Sequence, residues 1–121
     1  MERIYSEENL IIPALFELYL NPNGLTTSLL IKALTENLNP EGADAEILFG
    51  RNDTRFSQKV RNLISHKRLH SYVTTTKKGR ETLFTINEDG ISVLQASEYY
   101  ALNYQDRQNE AEAKKEYESK N

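Results

Sequence analysis

The sequence predicts a mainly α-helical fold carrying one small β-hairpin. Apolar residues recur at three- and four-residue spacing in several stretches, the mark of amphipathic helices. Residues 70–86 read differently, as two runs rich in β-branched and aromatic residues around a short turn containing glycine. Length and composition agree with one domain. At 121 residues, with 38% hydrophobic and 27% charged residues, the chain can bury a single core without staples.

Ser6 caps the first helix, with Glu7 and Glu8 near its positive end. Leu10, Ile11, Ala14, Leu15, Leu18 and Tyr19 form its apolar face, and Asn21-Pro22-Asn23-Gly24 ends it. Leu25 begins a very short extended piece. Thr26, Thr27 or Ser28 caps a second helix with Leu30, Ala33, Leu34 and Leu38 inward. Asn39-Pro40-Glu41-Gly42 breaks that helix. A short helix through Ala45, Ile47, Leu48 and Phe49 follows, closing at Gly50. The third main helix is capped by Asn52 or Asp53, carries the stripe Phe56, Val60, Leu63 and Ile64, and ends near His66-Lys67. Strands at 70–76 and 81–86 then flank Lys77-Lys78-Gly79-Arg80 as a hairpin. Asn87 caps a last helix with Ile91, Leu94, Tyr99 and Leu102 among its apolar positions. Residues 1–105 thus form the folded domain, and 106–121 a polar helical extension or disordered tail.

Charge is unevenly placed. Residues 51–80 hold nine Lys/Arg and one acid, a net of +8. The remaining residues hold six Lys/Arg and seventeen Asp/Glu, a net of −11, so the formal charge of −3 hides a split. Concentrated positive charge in an acidic chain points to a polyanionic partner at one face. The absence of cysteine removes disulfides, thiolate zinc sites and thiol nucleophiles, and fits a cytoplasmic protein. No run of 18 apolar residues occurs, and the first residues do not read as a signal peptide, so no membrane is expected. DNA binding would make the protein nucleoid-associated.

The order helix, short strand, helix, short helix, helix, basic hairpin, helix is that of a winged helix-turn-helix. Projected at about 100° per residue, the third helix turns Thr54, Arg55, Gln58, Arg61, Asn62 and Ser65 away from its apolar stripe. Arginine can pair with guanine O6 and N7, and Gln or Asn with adenine N6 and N7, so these six are the candidates for reading bases. Arg51, Lys59, Lys67 and Arg68, with Lys77, Lys78 and Arg80 at the hairpin, are the candidates for phosphates. The competing reading is a protein-interaction module or inhibitor, of phage or mobile-element type, whose basic face docks on an acidic partner.

The chain resembles winged-helix DNA-binding domains, and in particular the N-terminal module of Mrr-type restriction endonucleases. The likeness rests on Asn39-Pro40-Glu41-Gly42 leading to Phe49-Gly50-Arg51, on Arg55-Phe56-Ser57-Gln58-Lys59-Val60, and on Thr85-Ile86-Asn87-Glu88-Asp89-Gly90. It spans about residues 6–96. The last motif also resembles the wing exit of MarR-like regulators. The likeness implies that the third helix, at about 53–66, enters the major groove of double-stranded DNA, while the wing, at about 70–86, touches backbone. The expected role is transcription regulation or DNA targeting. No nuclease domain follows residue 121, so the chain reads as a stand-alone regulator or as a DNA-binding fragment of something longer.

Other signals carry less. His66 and His70 are four apart, but the helix is expected to end between them, so no metal is expected. Glu112-Ala113-Lys114 resembles the end of a nuclease motif but lies in a polar tail that buries nothing. No Gly-rich phosphate loop or Ser–His–acid set appears, so neither a cofactor nor an enzymatic activity is expected. Tyr99, Tyr100, Tyr104 and Tyr117 read as packing or a dimer seam. The last helix is the candidate for pairing two copies into a homodimer.

Overall fold

The structure is a computed structural model and describes residues 4–48, 50 and 53–120. The chain is mainly helical, with a small three-stranded antiparallel sheet. Its elements run α1 (Glu7–Leu20), β1 (Leu25–Thr26), α2 (Thr27–Leu38), a 3-10 helix (Gly42–Ala45), and α3 (Arg55–Ser65). A second 3-10 helix (His70–Tyr72), β2 (Val73–Lys78), β3 (Glu81–Ile86), α4 (Glu88–Gln95) and α5 (Glu98–Lys120) follow. Among the described residues no helix is long and apolar enough to cross a membrane.

Helix α1 is the centre of the molecule. Ser6 and Asn9 close a reciprocal cap, with the Asn9 N–H donating to Ser6 Oγ at 3.1 Å and the Ser6 N–H to Asn9 Oδ1 at 3.3 Å. The expected stripe is only part of what α1 buries. Pro13, Phe16 and Glu17 are buried too, because α2, α3, α4 and the sheet surround the helix. Thr26 ends β1 and caps α2, accepting from the Leu29 N–H at 3.3 Å. Asn39 closes α2 in the left-handed region, at φ 47°.

The sheet order is β1-β3-β2. Leu25 faces Phe84 and Thr26 faces Leu83, so the two residues of β1 tie the start of α2 to the hairpin. The hairpin register runs from Val73 opposite Ile86 to Lys78 opposite Glu81. This shifts the expected first strand. Residues 70–72 form a 3-10 turn, whereas Lys77 and Lys78 pair within the strand. The turn proper is Gly79-Arg80, and Gly79 supplies the positive φ (66°) that a tight hairpin needs at its first central residue.

Three further expectations are corrected. The expected helix through Ala45, Ile47 and Leu48 is absent. The 3-10 helix stops at Ala45, and Ile47 bridges back to Thr54 in extended conformation; Phe49 lies outside the described residues. Thr54, rather than Asp53, caps α3, exchanging backbone-to-hydroxyl bonds with Ser57 at 2.9 and 3.0 Å; Asn52 lies outside the described residues. Finally, the last helix is two. Ser97 accepts from the Tyr100 N–H at 3.2 Å and donates to the Leu94 carbonyl at 2.6 Å, closing α4 and capping α5.

The core is continuous and holds Leu10, Leu15, Phe16, Leu18, Leu30, Leu34, Phe56, Val60, Leu63 and Leu94, all fully buried. Ile64 packs against it but is only half-buried. Polar α5 is fastened to this core at its near end. Tyr99 meets Phe16 edge to face at 5.5 Å, and the Arg107 guanidinium grips buried Glu17 through two bonds of 2.7 and 2.9 Å. The bond to Glu17 holds the Arg107 pKa above its ordinary value, against the lowering effect of burial. Residues 106–120 are therefore a helical extension whose first turn is anchored.

Candidate nucleic-acid interface

The apolar stripe of α3 fixes what its other face presents. With Phe56, Ser57, Val60 and Leu63 buried against α1 and α2, Arg55, Arg61 and Ser65 are exposed, and Gln58 and Asn62 are half-buried. Five of the six base-reading candidates thus share the solvent side of one helix. The sixth, Thr54, has its hydroxyl engaged in the cap.

The polar side chains on this face are paired with one another or with nearby acids. Arg55 Nε donates to Glu46 at 3.0 Å, Arg61 Nη2 donates to Asp53 at 3.2 Å, and Gln58 Nε2 donates to Asn62 at 2.8 Å. Ser65 Oγ donates to the Asn62 carbonyl oxygen at 3.4 Å. Glu46 and Asp53 are placed by the segment leading into α3. There the Arg55 N–H donates to the Glu46 carbonyl at 2.9 Å and the Leu48 N–H to the Asp53 carbonyl at 2.8 Å, around the Ile47–Thr54 bridge.

The phosphate candidates divide. Lys59 points inward, its ammonium seated between the Asp44 carboxylate and the Tyr5 carbonyl oxygen, the latter at 2.6 Å. Asp44 is fully buried and also accepts the Tyr5 N–H at 2.8 Å, so Lys59 neutralises a core charge and its ammonium is engaged there. Arg68 lies 3.8 Å from Glu7, which His66 Nδ1 meets at 2.8 Å. Arg51 lies outside the described residues. Lys67, Lys77, Lys78 and Arg80 are exposed, and no ion pair or side-chain hydrogen bond engages them among the described residues.

The hairpin and the end of α3 are neighbours. A cavity of about 300 Å³ separates them, floored by Ile64, Leu69, Val73 and Phe84 and edged by Lys67, His70, Thr75 and Thr82. His66 and His70 therefore part company, one beside Glu7 and the other at this rim. Among the described residues no three His, Cys, Asp or Glu gather as metal ligands would.

Sequence reasoning missed Glu46, Asp53 and Asp44 as partners of the basic helix. Glu46 and Asp53 lie nine and eight residues from their arginines, ahead of the Thr54 cap, and no periodic pattern announces either pairing. Asp44 carried one signal only, an acid set between two alanines, Ala43 and Ala45. Comparison with known proteins finds no matching family model, no matching curated protein and no matching solved structure.

Proposed function

We propose that the chain is a winged helix-turn-helix domain that binds double-stranded DNA, in transcription regulation or DNA targeting, and carries out no reaction of its own. In this reading α3 enters the major groove and β2–β3 is the wing. The order α1-β1-α2-α3-β2-β3, with β1 closing on β3, supports the architecture. The observation that carries the function is the hairpin. Lys77, Lys78 and Arg80 stand exposed, with no partner among the described residues, beside the end of a helix whose outer face is arginine and amide. Exposed cations without internal partners are suited to phosphate, and planar donors on a helix to base edges.

A homodimer through α5 belongs to the same reading. Leu102 and Tyr117 remain 67% and 72% exposed on the helix that leaves the domain. A mass that rises with concentration in sedimentation velocity is expected, and a constant monomer mass removes the dimer alone.

Fluorescence anisotropy on a selected and a scrambled duplex, at several salt concentrations, tests the DNA reading. Lys77→Ala or Lys78→Ala weakens binding to both duplexes alike and lowers the salt slope by about 0.9 per lost phosphate contact. Gln58→Ala costs about 1–3 kcal/mol on the selected duplex and relaxes one base pair. If the unaltered protein binds no duplex at low salt, the acidic protein partner replaces DNA.

A further inference from the structure

We infer that Glu46 and Asp53 are specificity-determining residues of the α3 face: they lower its affinity for DNA in general and reserve its arginines for base edges. This rests on the DNA-binding reading above. Two sets of cations, those of the hairpin and those of α3, differ in how they are partnered. Those of the hairpin have no internal partner among the described residues, whereas the two arginines that flank Gln58 and Asn62 on the α3 face each hold a carboxylate.

The pairing geometry leaves donors available. Glu46 takes Arg55 at Nε, so both Nη nitrogens remain without a partner among the described residues. Asp53 takes Arg61 at Nη2 alone. Both guanidiniums are thus held and oriented while keeping N–H groups to offer guanine O6 and N7. Asp53 is itself held, accepting from Ser57 Oγ at 3.3 Å, and both acids are fixed by the bridged segment that precedes α3.

The two carboxylates act differently on the two kinds of contact. Phosphates line every duplex, and an acid beside each arginine offsets the arginine's attraction to them by its own repulsion. A guanine edge is neutral overall and recognised by paired donors, so the nearby acid costs that contact far less and helps by fixing the fork. The result is a helix face that gains little from arbitrary DNA. The wing cations supply the sequence-independent part of binding.

Glu46→Gln and Asp53→Asn keep size and one acceptor oxygen while removing charge. Each is expected to tighten binding to a random duplex by about threefold to tenfold at low salt and to steepen its salt dependence. The selected-to-random affinity ratio is expected to fall by roughly tenfold in the double variant. Glu112→Gln, on the exposed far part of α5, makes the same change in net charge and serves as the control, expected to alter neither value. Coinciding thermal melts of all variants show that the fold is kept. Unchanged random-duplex affinity in the double variant, an unchanged affinity ratio, or an equal gain from Glu112→Gln overturns the inference while leaving DNA binding intact. Failure of the unaltered protein to bind any duplex overturns the DNA reading itself.

Discussion

At the scale of single residues, two buried carboxylates organise the molecule. Glu17 is 1% exposed and Asp44 fully buried, and each is answered by one cation brought from elsewhere in the chain, Arg107 and Lys59. Breaking such a pair from one side strands a charge in the core, which costs about 3–5 kcal/mol, whereas removing both partners together costs much less. Arg107→Ala is therefore expected to lose about 3 kcal/mol in urea denaturation, and Glu17→Leu combined with Arg107→Met to recover most of that loss. A single variant as stable as the parent would mean that Glu17 finds solvent. The sequence marked Lys59 as a phosphate candidate because it lies on a basic helix. Helical projection gives a direction around the axis, and the buried acid that claims the ammonium comes from a different segment.

Among the elements, α3 and α4 show how far local rules reach. The α3 stripe was legible because Phe56, Val60 and Leu63 fall at four- and three-residue spacing and all three are fully buried. Phe56 also meets Tyr5 edge to face at 5.7 Å, and Phe56→Ala is expected to cost on the order of 3–5 kcal/mol through the cavity it leaves. Unfolding at nearly the parental urea midpoint would contradict the packing. Helix α4 depends on a close approach that no spacing rule contains. A Cβ on Gly90 would stand 2.3 Å from the Tyr72 carbonyl oxygen and 2.7 Å from Ile86 Cγ1. Gly90→Ala is expected to destabilise by roughly 1–3 kcal/mol as α4 is pushed off the hairpin, although alanine is the better helix former. A stabilised variant would show that α4 can shift freely.

For the molecule as a whole, the important boundary is where α5 stops belonging to the domain. Composition placed it at residue 106, where the sequence turns polar. The Arg107–Glu17 pair and the approach of the Arg107 guanidinium to the Phe16 ring, at 5.4 Å, place it later. A chain ending at Asp106 is expected to melt roughly 10 °C lower, since it loses the partner of a buried acid. One ending at Glu110 keeps the pair and is expected to melt within about 2 °C of the parent. Equal melting of the two truncations would return the boundary to residue 106. The same helix shows why tyrosines at helical spacing were ambiguous. Tyr100 and Tyr104 stack on each other and lie against Tyr19 of α1, so they pack within the chain.

What the sequence by itself determined is the set of local structures: the caps at Ser6 and Asn87, the stripe of α3, the glycine turn of the hairpin, and the concentration of cations between residues 51 and 80. These follow from spacing and from side chains that bond to their own backbone neighbours, so a short window contains them. The tertiary structure decided which charges are available. It turned Lys59 inward, gave Arg55 and Arg61 their acids, left the hairpin cations without a partner among the described residues, and joined Glu17 to an arginine 90 residues away. The reason is physical. A charged side chain takes the partner that the folded chain brings within a few ångströms, and the cost of burying an unpaired acid selects that partner regardless of its distance in sequence.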